Sequence, residues 1–165
     1  MNSKIFKDCN ELNSSDEVVV KWDELKKKEK GYSSLTEEMK GITKGLPSLL
    51  RAHKVQEKAK RVGFDFDDVS FAINKVKEEL KEVIDVYNTE SVEKIKEEIG
   101  DLLFSCVNVA RFLKVDEEIA LNCTIDKFIK RFDYIESIAK EKNIELTNMN
   151  IDEMNKLWEV SKRLG

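Results

Sequence analysis

The chain has 165 residues, a length that suits one domain with a true core. Its 29 basic and 33 acidic residues nearly cancel to a net charge of -4, so composition offers no basic footprint for nucleic acid, and no run approaches the roughly 20 apolar residues of a membrane span. The N-terminus lacks the apolar core of a signal peptide, and Cys9, Cys106 and Cys123 form no spaced motif, which fits reduced thiols in a soluble, cytoplasmic protein.

One proline, six glycines and abundant Glu, Lys and Leu predict an all-α fold, because strong helix formers dominate and breakers are rare. Residues 1–16, with Asn10, Asn13, Ser14 and Ser15, read as a loosely ordered extension, and residues 17–165 as a single domain. A helix is expected over 17–30 with Trp22 and Leu25 as buried anchors, although Val18, Val19 and Val20 also suit a strand. Residues 31–45 carry three glycines and read as a connector with one helical turn over 36–40. Pro47 suits the first turn of the next helix, and Gly63 its stop. That helix is basic through Arg51, Lys54, Lys58, Lys60 and Arg61, either a solvated face or an edge turned to phosphate. His53, the sole histidine, has no second imidazole with which to share a metal. After the loop Phe64-Asp65-Phe66, Asp67 or Asp68 would cap the following helix.

Two acidic helices follow, expected over 69–87 and 91–113. The first carries Glu78-Glu79-x-x-Glu82 and the second Glu97-Glu98-x-x-Asp101. Residues three or four apart share a helix face, so Glu79 with Glu82 and Glu98 with Asp101 each form an acidic edge. Val76, Leu80, Val83, Ile84 and Tyr87 form the expected buried stripe of the first helix, with Glu79 at its flank, roughly 85° from its centre at about 100° per residue. Glu78 points away. Lys75, four residues before Glu79, shares its edge. The second helix is apolar nearly all round after Asp101 and is expected to be central, with Asn108 on the face of Asp101 as a buried amide or a ligand contact. A hairpin joining the two edges would make a cage of oxygen ligands; the alternative is a pair of solvated Lys/Glu faces. A di-iron bundle would need Glu-x-x-His pairs, which are absent.

Asp116 is expected to cap a helix reaching residue 142, with Ile119, Ala120, Cys123, Phe128, Phe132, Ile135 and Ile138 as its apolar stripe. Lys127, Arg131 and Tyr134, at i, i+4 and i+7, form a polar edge of that helix. A last helix over 152–164 sets Trp158 and Lys162 one turn apart.

These blocks together resemble the MazG-type nucleoside triphosphate pyrophosphohydrolases, an all-α superfamily. The resemblance rests on LPSLLRAHKVQEKAKRVGFDFDD, the EExxE and EExxD clusters with fifteen residues between Glu82 and Glu98, then GDLLFSCVNVAR, DKFIKRF and WEVSK. It implies a helical bundle built around the acidic hairpin, and magnesium, or manganese in its place, held by Glu79, Glu82, Glu98 and Asp101. It also implies that Lys127, Arg131, Trp158 and Lys162 contact the nucleotide, with Lys127, Arg131 and Lys162 offsetting charge on the leaving pyrophosphate; Lys75 and Asn108, on the faces of the acids, are further candidates for substrate binding. The implied reaction is hydrolysis of NTP or dNTP between the α and β phosphates, by a homodimer or higher oligomer. Narrower readings are a dUTPase-like or modified-nucleotide pyrophosphatase; a helical adaptor module is the non-enzymatic one. Two departures stand out: Asp126 where relatives usually have Asn, and Phe66 where many have Trp.

Overall fold

The computed structural model describes residues 31–89 and 91–164. The extension expected over 1–16, the helix expected over 17–30 and Cys9 lie outside the described residues. Within them all regular structure is helical: α1 (Leu35–Lys40), α2 (Ser48–Lys60), α3 (Val69–Val86), α4 (Val92–Phe112), α5 (Glu117–Glu141) and α6 (Ile151–Leu164), with one 3-10 turn at Leu146–Asn148.

The helix ends are set by local chemistry. Side-chain oxygens of Ser34, Asp68, Ser91 and Asp116 accept the backbone N–H groups of Glu37, Ser70, Lys94 and Ile119, satisfying donors that the first turns leave without partners. Three helices stop in the same way. Gly63, Lys114 and Asn143 take positive φ, and the next residue's N–H reaches back to the carbonyl of Ala59, Ala110 or Ala139. Glycine adopts this conformation freely and asparagine tolerates it, whereas lysine carries the Cβ penalty.

The chain divides between Phe66 and Asp67 into two compact units. In the first, α1 packs on α2 and a buried Glu38 carboxylate accepts from Lys58 at 2.9 Å. In the second, α3 lies along α4 as one hairpin and α5 along α6 as another, while α4 and α5 meet only sparingly. The core of the α5–α6 hairpin is Ile135, Ala139 and Met149, closed over by Leu146, Met154, Leu157 and Trp158.

The hairpin faces differ from those expected. Leu80, Ile84 and Tyr87, assigned to the buried stripe of α3, are 47%, 56% and 58% exposed, whereas Glu79 is 4% exposed. The positions turned inward are Ala72, Lys75, Val76, Glu79, Glu82, Val83 and Val86, again at helical spacing but rotated so that Glu79 lies on the seam. The helix α4 is likewise not central, since Ile99, Leu103 and Phe104 face outward while Glu98 and Ser105 are buried. Ile119, Phe128 and Phe132 of α5 are also exposed, because only the C-terminal half of α5 finds α6 to pack against. The hairpins close on their mixed faces and leave apolar stripes uncovered within the chain.

The stops give a paired prediction. Lys114→Gly removes a left-handed lysine and should raise unfolding free energy by about 1 kcal/mol, whereas Gly63→Ala should lower it by about the same amount. Urea denaturation of both variants checks the signs, and a destabilised Lys114→Gly would refute the strain.

Candidate functional site

The site is built where the two acidic edges meet. Glu79 of α3 and Glu98 and Asp101 of α4 each bring a carboxylate oxygen within 4.8 Å of the others. Glu79 and Glu98 are buried and Asp101 is exposed, so the cluster runs from the hairpin seam out to the surface. Glu82, one turn beyond Glu79, is half-buried and joins the cluster through a hydrogen bond with Glu98. The four acids singled out in the sequence therefore come together.

Buried carboxylates need partners, and lysines supply half of them. The Lys75 ammonium contacts Glu79 Oε1 at 2.5 Å and Glu78 at 2.8 Å. On α4 the same pattern recurs, with Lys94 at 2.5 Å from Glu98 Oε1 and 3.1 Å from Glu97. Lys94 was not singled out in the sequence, yet the signal was there: it precedes Glu98 by four residues, as Lys75 precedes Glu79. Glu78 and Glu97 themselves lie on the outside, as helical geometry requires for Glu78. Both lysines are held well above their ordinary value, first by these hydrogen bonds.

The hydrogen bond with Glu98 raises the Glu82 carboxyl above the ordinary glutamate value, and burial and the charges of Glu79 and Glu98 push the same way. Glu98 is lowered instead, first by its bond from Lys94. Their carboxyls are thus pushed in opposite directions, Glu82 toward its protonated form and Glu98 toward its ionised one.

One oxygen is left over. Glu79 Oε2 is buried and accepts no hydrogen bond, although a buried carboxylate oxygen ordinarily has a partner. The donor set around it is oxygen only, which is what hard divalent cations take. The residues therefore fit a divalent cation.

The basic and aromatic candidates sit on the other hairpin. Lys127 and Arg131 line a notch between α5 and α6 with Lys130, Tyr134, Ser161 and Leu164. The Arg131 guanidinium lies 5.6 Å above the Trp158 ring, which also packs against Phe128 at 5.0 Å. Lys162 pairs with Glu159 at 2.6 Å. Among the described residues no hydrogen bond or ion pair joins Lys127, Arg131, Trp158 or Lys162 to the four acids. The carbonyl oxygen of Asn108 is engaged within α4, accepting from Arg111 Nε at 3.0 Å and Nη2 at 2.6 Å.

A divalent cation takes ionised carboxylates, and the Glu82 carboxyl is held above its ordinary value, so cation affinity should rise with pH as Glu82 ionises and then level off. Calorimetric titration of manganese in two buffers of different ionisation heat should show proton release at acidic pH that fades as pH rises. An affinity that does not change with pH on the acidic side would contradict the raised Glu82 carboxyl.

Residues 69–135, which hold all four acids with Lys127 and Arg131, match the family model of the MazG nucleotide pyrophosphohydrolase domain. The chain is 36% identical over 161 residues to a nucleoside triphosphate pyrophosphohydrolase of Escherichia coli K12, covering 96% of this chain and 61% of that protein. It is 37% identical over 141 residues to the nucleoside triphosphate pyrophosphohydrolase/pyrophosphatase MazG of Thermotoga maritima, covering 86% and 54% of the two chains. It is 43% identical over 159 residues to the uncharacterized protein YabN of Bacillus subtilis 168, covering 96% of this chain and 32% of that one. The chain thus spans only part of the length of each relative. Over residues 69–135, with the paired acidic helices in the expected order, the chain is thus similar to the MazG nucleotide pyrophosphohydrolase domain.

Proposed function

We propose that the protein hydrolyses nucleoside triphosphates between the α and β phosphates, releasing a nucleoside monophosphate and pyrophosphate, with magnesium held by Glu79, Glu82, Glu98 and Asp101. The observation that carries this reading is the unpartnered, buried Glu79 Oε2 inside a cluster of acids from two helices. The match to pyrophosphohydrolase relatives supports it. On this reading manganese can replace magnesium, residues 17–165 work as one catalytic domain, and the protein acts in the cytoplasm.

A triphosphate is a polyanion, and four acids alone would repel it. When bound, magnesium supplies charge neutralisation at the phosphate oxygens and acidifies water. Lys75 and Lys94 now neutralise one oxygen each of Glu79 and Glu98. With a cation held by Glu79, Glu82, Glu98 and Asp101, the Lys75 and Lys94 ammonium groups would be free to turn to the incoming phosphates. Lys127, Arg131 and Lys162 offset charge that builds on the departing pyrophosphate. Trp158 positions Arg131 through its ring face. Asn108 is left with its amide for the substrate, its carbonyl being committed to Arg111.

A homodimer follows from two features. The exposed stripe of Leu80, Ile84, Ile99, Leu103 and Phe104 on the acidic hairpin is apolar surface for a second copy. The acids and the cations also stand on separate hairpins, so a second copy is suited to bring its cations to this chain's acids.

The direct test is a panel of NTPs and dNTPs incubated with and without magnesium, with products resolved. Monophosphate and pyrophosphate should form only with the metal, from a species that sediments as two chains. Glu98→Gln or Asp101→Asn should lower turnover on the order of 10³-fold while keeping helical content, because transition-state stabilisation by the ion is worth several kcal/mol. Near wild-type rates in either variant, or diphosphate as the product, would reject the assignment.

A further inference from the structure

Arg111 is buried in the last turn of α4, although arginine is ordinarily an exposed residue. Two contacts fix the plane of its guanidinium. It lies 4.7 Å from the centroid of the Phe112 ring, and its Nε and Nη2 both donate to the Asn108 side-chain oxygen, at 3.0 and 2.6 Å. A guanidinium only donates and a carbonyl oxygen has two lone pairs, so this fork fills Oδ1 and settles which end of the amide faces Arg111. The Asn108 Nδ2 group is thereby turned the other way. Among the described residues it donates no hydrogen bond, and it stays open to solvent. Asn108 thus offers donors alone.

The place of Asn108 on the helix says what those donors meet. Glu98, Asp101, Ser105 and Asn108 fall at i, i+3, i+7 and i+10 and so share one face of α4. Asn108 lies two turns past Asp101, roughly 10 Å along the axis, beyond the reach of an ion held by the acids. Ser105 is buried between them and makes no hydrogen bond among the described residues. A neutral amide and a hydroxyl suit the uncharged end of a nucleotide, whereas its phosphates call for cations. A sugar hydroxyl both donates and accepts, so it gains nothing from an amide fixed in one sense. A base carbonyl only accepts, and a base amino group only donates. For that choice the direction of the amide decides.

We propose that Arg111 is a positioning residue that locks the Asn108 amide with its N–H groups outward, so that the site favours nucleotides whose base carries a carbonyl there over those with an amino group. The proposal rests on the reading above that the acids hold the phosphates, which sets the base along this face. Without the fork the amide turns between its two ends and serves either kind of base. The preference is then lost although Asn108 is still present.

The test compares kcat and KM for UTP with CTP and for GTP with ATP, pairs that exchange a base carbonyl for an amino group. The intact chain should favour the carbonyl member of at least one pair by roughly tenfold in kcat/KM, the worth of one net hydrogen bond. Arg111→Met should bring that ratio near one, chiefly by raising KM for the carbonyl substrate, and Arg111→Lys, which still donates to Oδ1, should restore most of it. Asn108→Asp keeps the pair with Arg111 but turns an oxygen outward, so it should abolish or reverse the preference even if Arg111→Met fails to fold. Variants that slow every substrate equally and leave the ratio untouched would show a merely structural pair and overturn the proposal. Calorimetric binding of UMP against CMP and of GMP against AMP makes the same comparison without turnover. An Arg111-dependent preference in binding, in a chain that releases no pyrophosphate, supports the positioning role and overturns only the reaction. Pyrophosphate released from all four triphosphates with equal efficiency by the intact chain does the reverse.

Discussion

Glu79 and Glu98 occupy positions on the seam of the α3–α4 hairpin where an apolar side chain would be the less costly choice. Their neighbours on the two helices hold them there. Lysines one turn earlier neutralise one oxygen of each, and a hydrogen bond ties Glu98 to Glu82. One oxygen of Glu79 still has no partner. A buried, unpartnered oxygen costs stability, and such unsatisfied groups commonly mark functional sites.

The same arrangement explains why so much apolar surface is uncovered. A helix has only so wide an inward face, and α3 and α4 give theirs to acids and lysines. Leu80, Ile84, Leu103 and Phe104 are thereby turned outward. The cationic notch on α5 and α6 stands on the other hairpin, so charge is segregated as well. Among the described residues the four acids and the cations of the notch make no direct pair, and such pairing would satisfy both and leave neither for a ligand.

Much of this was legible in the sequence. The doubled carboxylate spacing gave the helices, the hairpin and all four acids, and Asp68, Asp116 and Gly63 marked helix ends by ordinary capping chemistry. The rotation of α3 was not legible, because Leu80 and Ile84 are as apolar as any core residue and the stripe alone does not say which side meets its neighbour. For α4, apolar on most sides, no single face was preferred, and only its partner decides it. Lys94 was readable by analogy with Lys75 and was passed over. Lys130 and Ser161 belong to segments about thirty residues apart, and no local pattern announces that they border one notch. The left-handed Lys114 also lies beyond prediction, since lysine carries no preference for that conformation.

The account stands on a divalent cation at the α3–α4 seam. The most direct measurement is anomalous diffraction from crystals grown with manganese. A peak at coordination distance from the carboxylates of Glu79, Glu98 and Asp101 is the predicted result. A map with no peak there, or with manganese held only on the outer face by Glu78 or Glu97, would contradict it and leave the acidic hairpin as a scaffold.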